Sequence, residues 1–147
     1  MRVLRAFPVD QLGMRASDEL RTARELAWIF VLERGLARAI FNDAFAQGKM
    51  SGSPPEVPDS WDALLNALEK AHKELGDLIR ATPDDALLEK TSFFVSPKTL
   101  GEQTRLDWMW YLLLDQIHHR GQFSVYLRMA GGTVPSIYGP TKEEPWI

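Results

Sequence analysis

An all-α helical bundle is the fold class this sequence predicts. Three long segments carry apolar residues at helical spacing, glycine and proline punctuate the chain between them, and 147 residues with 45% hydrophobic content suffice to fill one core. One domain spanning residues 1–147 is expected. The first helix is placed over residues 17–46, where Ser17 or Thr22 can cap, Glu19 and Glu25 suit the first turn, and Leu26, Ile29, Leu36 and Ile40 mark the buried stripe. Gly48 ends it. Residues 48–58, containing Ser51-Gly52-Ser53-Pro54-Pro55, hold the densest breaker signals and read as a surface loop.

Asp59 or Ser60 opens the second helix, whose apolar face carries Trp61, Leu64, Leu65, Leu68, Leu75 and Ile79, and Pro83 stops it. Residues 84–98 contain Phe93-Phe94-Val95, a run equally compatible with a strand or an apolar connection. Thr99 or Leu100 then starts the third helix, which runs to Gly131. The tail from Gly131 to Ile147 is rich in Gly and Pro, yet Ile137, Tyr138 and Trp146 predict that packing orders it.

Composition narrows the function classes. A net charge of -3 with interspersed signs offers no basic face for a row of phosphates, so nucleic-acid binding is not expected. The apolar runs, none longer than Leu26 to Leu32, are far short of the roughly 20 residues that span a membrane, and the amino terminus has no signal-peptide core. With no cysteine, the chain has no thiolate nucleophile and no disulfide framework, in keeping with a reducing cytoplasm. Any sulfur chemistry has to arrive on a small molecule.

Polar residues interrupt two apolar stripes. On the third helix, at about 100° per residue, Trp108, Leu112, Asp115, His119, Gln122 and Tyr126 share one side. Burying its polar middle is costly unless the groups pair with one another or with a metal. Asp115 and His119, four apart, have the spacing by which two side chains of one helix share an ion. On the first helix Glu33 lies within the apolar arc one turn beyond Ile29. Two acids and a histidine from facing helices would suit a divalent ion such as Zn²⁺, Ni²⁺, Mn²⁺ or Fe²⁺. The plainer readings are an Asp115–His119 ion pair and a Glu33 salt bridge to Arg34 or Arg38. His118 is kept as a backup ligand or proton carrier, and His72 reads as a core histidine with one partner. Gly121 in mid-helix suggests a close helix approach. Arg120 and Arg128 are either solvated charges or anchors for the tail's carbonyls.

The run Asp115-Gln116-Ile117-His118-His119-Arg120-Gly121-Gln122, then Ser124-Val125-Tyr126-Leu127-Arg128 and Val134-Pro135-Ser136-Ile137-Tyr138-Gly139-Pro140, closely resembles the C-terminal signature of the DinB-like, or YfiT-like, family. Arg21-Thr22-Ala23-Arg24-Glu25-Leu26-Ala27-Trp28 resembles the start of that family's second helix. The resemblance implies a four-helix bundle with a metal held by three histidines, one on the second helix and two spaced i and i+4 on the last. Here His119 matches the final ligand, Asp115 stands four before it, and Ile29 aligns with the second-helix histidine. The resemblance therefore points to an Asp115, His119 and Glu33 ligand set, or to a degenerate site retained as a scaffold. In the family a full first helix usually precedes the segment resembled by Phe7-Pro8-Val9-Asp10, whereas here only Met1 to Ala6 precede it, which implies a short or truncated first helix and a groove favouring a homodimer. The activity it implies is metal-dependent transfer or hydrolysis involving a low-molecular-weight thiol, with Gln122, Tyr126 or His118 positioning substrate or moving a proton. The alternative is a non-catalytic, dimeric, stress-related helical protein.

Overall fold

The computed structural model describes residues 1–49 and 54–147, so Met50 and the Ser51-Gly52-Ser53 part of the expected loop lie outside the described residues. Three long helices dominate: α2 (Ala23–Phe41), α3 (Trp61–Ala81) and α5 (Arg105–Met129). They are joined by the short helices α1 (Arg2–Arg5) and α4 (Asp84–Leu87), a 3₁₀ turn at Val9–Gln11, and an antiparallel hairpin of β1 (Lys90–Ser96) and β2 (Thr99–Thr104). The hairpin corrects the all-α expectation, and with α1 only four residues long the expected bundle has three long helices among the described residues.

Local chemistry sets the boundaries. Thr22, not Ser17, caps α2: its side chain accepts from Glu25 N–H while the Glu25 carboxylate accepts from Thr22 N–H, satisfying two otherwise orphaned donors. Thr104 and Asp107 repeat that reciprocal arrangement and delay α5 to Arg105, five residues later than the sequence suggests. The residues before it are strand because the β-branched and aromatic run Thr91 to Val95 can turn back at Pro97-Lys98, with Lys98 at φ 62°. Gly101 sits opposite Phe93, where a Cβ would lie 2.5 Å from Val95 Cγ1. At the far end of α5, Gly131 at φ 77° closes the helix, and Gly132 N–H donates to the Leu127 carbonyl at 2.9 Å.

α2 is the central element, packing against both α3 and α5, while α3 and α5 scarcely touch each other. Two apolar clusters result. One gathers Phe7, Phe30, Trp61, Leu64, Phe123 and Leu127; the other gathers Ala37, Ile40, Leu75, Trp108 and Leu112. The hairpin covers the second. Phe93 meets the Trp108 ring edge-on at 5.5 Å, and the indole N–H donates to the Thr91 carbonyl at 2.9 Å.

The tail is ordered, but differently from the expectation. Ile137, Tyr138 and Trp146 are exposed, whereas Val134 is buried. Polar contacts fix the rest: Arg2 pairs with Glu144, Arg128 with the Glu143 carboxylate rather than a tail carbonyl, and Trp146 Nε1 donates to Ser136 Oγ at 2.9 Å. The Arg120 guanidinium lies 4.5 Å over the Tyr138 ring. Gly121 is exposed, and a Cβ there would meet nothing within 4 Å, so no close helix approach explains it.

Candidate metal centre

Glu33 projects from the middle of α2 between Phe30 of one apolar cluster and Ala37 of the other. Asp115 and His119 project from α5 between Leu112 and Phe123, the matching gap on the facing helix. The polar residues therefore meet at the seam between two apolar cores. One ligand atom from each of Glu33, Asp115 and His119 lies within 4.8 Å of the other two, and among the described residues these are the only three acid, histidine or cysteine side chains so grouped.

His119 Nε2 is 3.4 Å from Glu33 Oε1 and 3.7 Å from Asp115 Oδ2. Glu33 is buried, with a side chain only 5% exposed, whereas the Asp115 side chain is 42% exposed. The centre is therefore closed on the α2 side and reached from the Asp115 side. Neither carboxylate oxygen of Glu33 has a hydrogen-bond partner. The expected alternatives for Glu33 are not realised: Arg34 donates to the Phe30 carbonyl at 2.7 Å, and Arg38 pairs with Glu74.

Burial pushes the Glu33 carboxyl up to about 8, the negative charge of Asp115 adds to the rise, and Arg34 partly opposes it. Without a cation the centre at neutral pH thus holds Glu33 largely as the neutral acid. A divalent cation would favour the ionised form, and two carboxylates with one neutral imidazole would balance its charge. The orphaned Glu33 oxygens and the mixed O,O,N donor set fit such an ion.

The imidazole is oriented from behind. His119 Nδ1 is 3.0 Å from Gln122 Oε1, which accepts only if Nδ1 carries the proton, leaving the Nε2 lone pair toward the two carboxylates. Gln122 Nε2 in turn lies 3.0 Å from His118 Nε2 and donates to it, forming a short surface chain behind the ligand face. His118 and Gln122 are exposed. Tyr126, expected on the same stripe, is a core residue: it is buried, and its hydroxyl donates to the Arg21 carbonyl at 2.9 Å. Tyr126 keeps nearly the same side of α5 but lies two turns, about 10 Å, further along the axis than His119, so it meets the start of α2 rather than the polar seam. His72, read as a core histidine, is exposed.

Comparison with known proteins agrees with this architecture. The chain is 27% identical over 143 residues to the uncharacterized protein YrdA of Bacillus subtilis strain 168, covering 97% of this chain and 81% of that protein. In fold it is similar to a DinB-like protein from Bacillus cereus ATCC 10987, with a TM-score of 0.75, 23% identity, and 93% and 87% of the two chains covered. A DinB-like protein of Bacillus subtilis, YjoA, superposes with a TM-score of 0.68 at 16% identity, over 93% of this chain and 88% of that one. The model of the DinB family matches residues 1–146, and the chain belongs to that family.

Proposed function

We propose that Glu33, Asp115 and His119 hold one divalent cation, and that the chain is a metal-dependent transferase or hydrolase acting with a low-molecular-weight thiol or water. The observation that carries this reading is Glu33: a buried carboxyl with both oxygens unpartnered, facing a second carboxylate and an imidazole lone pair. A buried acid in that state is costly unless something occupies its lone pairs, and removing an unsatisfied group of this kind would otherwise be favourable. The bound cation would lower the pKa of a thiol or water so that it reacts as an anion near neutral pH.

The protein's own residues would do the rest. Glu33 and Asp115 neutralise the cation from opposite helices, and Gln122 fixes the His119 tautomer so that Nε2 stays available. The half-exposed Asp115 side of the centre would admit substrate, and the exposed His118, bonded to Gln122, would position it or carry a proton. The absence of cysteine means the thiol would be supplied by the substrate. No helix of the described residues is long and apolar enough to cross a membrane. A homodimer would cover the outward apolar face of α5, where Trp110, Leu114 and Val125 are exposed around Gly121.

Ile29 favours a second reading. It is partly buried against the apolar core at the position aligned with the family's second-helix histidine, so one ligand of the usual triad is missing. In that reading Glu33 is a buried acid beside Asp115 that holds no ion, and the bundle is a stress-related dimeric scaffold without catalysis. Elemental analysis of tag-free protein purified without chelator separates the two. The metal reading expects about one Zn, Ni, Mn or Fe per chain, lost in His119→Ala with the helical content retained. No uptake, even after incubation with each ion, would leave the scaffold reading.

A further inference from the structure

A cavity on the other flank of the α2–α5 contact takes no part in the metal centre. Arg34 and Arg120 each follow a residue of the proposed centre, Glu33 and His119, and are rotated by about 100° away from it. Both arginines line a cavity of about 680 Å³, a size in the range of ~300–1,000 Å³ that takes small organic ligands. Phe30, Leu68, Leu113 and Ile117 contribute apolar wall.

The charge on that wall is unbalanced. Arg2, Arg34, Lys73, Arg80 and Arg120 line it against the single acid Glu69, which pairs with Arg5. Arg2 is engaged by Glu144, and Lys73 and Arg80 by Asp77. Among the described residues neither Arg34 nor Arg120 has a carboxylate partner. Arg34 is the sharper case: one nitrogen donates to the Phe30 carbonyl, while its Nε is buried with no acceptor. That Nε is closed off from the cavity, so the receptor for an anion is the pair of guanidinium groups, Arg34 and Arg120, set in a partly apolar wall with no carboxylate to neutralise them.

We propose that this cavity binds a single-chain anionic amphiphile, its carboxylate or phosphate head held by Arg34 and Arg120 and its chain lying on Phe30, Leu68, Leu113 and Ile117. Charge complementarity selects the head and the apolar wall selects the tail. The inference does not depend on a metal at Glu33, Asp115 and His119.

Isothermal titration of the full chain with dodecanoate, dodecyl phosphate and dodecanol, each below its micelle concentration, tests it. At least one anion should bind at about one per chain and on the order of tenfold or more tighter than the alcohol, since charged hydrogen bonds set the difference. Which anion binds tighter identifies the head. The Arg34→Gln/Arg120→Gln double variant should lose that margin while still binding dodecanol, with an unchanged circular-dichroism spectrum showing that it folds. Leu113→Trp, a substitution at an exposed wall position, should weaken all three ligands. Equal affinity for anion and alcohol, a margin that survives in the double variant, or no saturable binding would overturn the proposal. So would binding abolished by self-association of the chain, which would assign the cavity to a second copy.

Discussion

Replacing Glu33 by glutamine should remove a pH dependence of stability that the metal-free protein carries. A carboxyl raised from its ordinary 4.5 to about 8 binds its proton more tightly in the folded than in the unfolded chain. Between those values the unfolded state therefore holds fewer protons, and stability falls as pH rises. It is fully present below the unfolded value and is lost through the folded one. Over the whole window the loss is about 5 kcal/mol, and between pH ~6 and pH ~9 it is about 3 kcal/mol, a large share of the ~5–15 kcal/mol that holds a domain of this size together. Urea unfolding of chelator-treated protein at the two pH values measures it. The parent chain should lose about 3 kcal/mol more than Glu33→Gln on going to the higher pH, because the amide has no proton to release. Adding the cognate cation should flatten the parent curve and raise it, since the ion favours the ionised carboxylate and binds only the folded state. Parallel pH profiles for parent and variant without metal would refute the claim that Glu33 is buried and unpartnered at the seam.

Three further substitutions probe the scaffold. Gly101→Ala places a Cβ 2.5 Å from Val95 Cγ1 and should cost about 1–3 kcal/mol, read as a lowered Tm with weakened near-ultraviolet signal from Trp108 beneath the hairpin. Thr22→Ala breaks the reciprocal cap of α2 and should cost about 0.5–2 kcal/mol by urea titration, with no change in m-value. Gly121→Ala meets nothing within 4 Å and should raise stability by up to about 1 kcal/mol in the isolated chain; a loss that appears only at high protein concentration would place a second copy against that face of α5.

The three long helices were legible because each has a repeating apolar stripe, and Pro83 and Gly131 mark two of the stops; α2 ends at Phe41 with Asn42 as its cap, several residues before Gly48, where the sequence suggests the stop. The β2 strand was not legible, because Thr99 to Thr104 has no apolar alternation of its own; its strand state is imposed by Phe93 and Val95 across the hairpin and by the packing of Phe93 on Trp108. The polar seam was legible for the opposite reason. Glu33, Asp115 and His119 each interrupt an apolar periodicity, a signal independent of tertiary context, and the structure brings all three within reach of one ion. A tyrosine on an apolar stripe can bond its hydroxyl to a backbone carbonyl and still belong to the core, as Tyr126 does, and the sequence alone does not separate that arrangement from a site residue. Arg34 carried no signal: in sequence it is a charged residue beside Glu33, and only the folded arrangement shows that its Nε is buried without a partner and that it lines a cavity with Arg120.

The donor set has consequences for the chemistry the centre could support. Three neutral imidazoles would leave a bound divalent ion with its full double charge, whereas Glu33 and Asp115 neutralise it and leave a softer electrostatic pull on any ligand in an open position. Oxygen donors also move the preference toward harder ions, Mn²⁺ or Fe²⁺ as well as Zn²⁺. The cost falls on Glu33, whose carboxyl must ionise inside the seam, so cation affinity should climb with pH until that group is titrated near 8. Ile29 completes the logic: with an apolar side chain one turn before Glu33 filling the first cluster, the anion sits where the two clusters part, and the half-exposed Asp115 is left as the door through which an ion and its substrate ligand would enter.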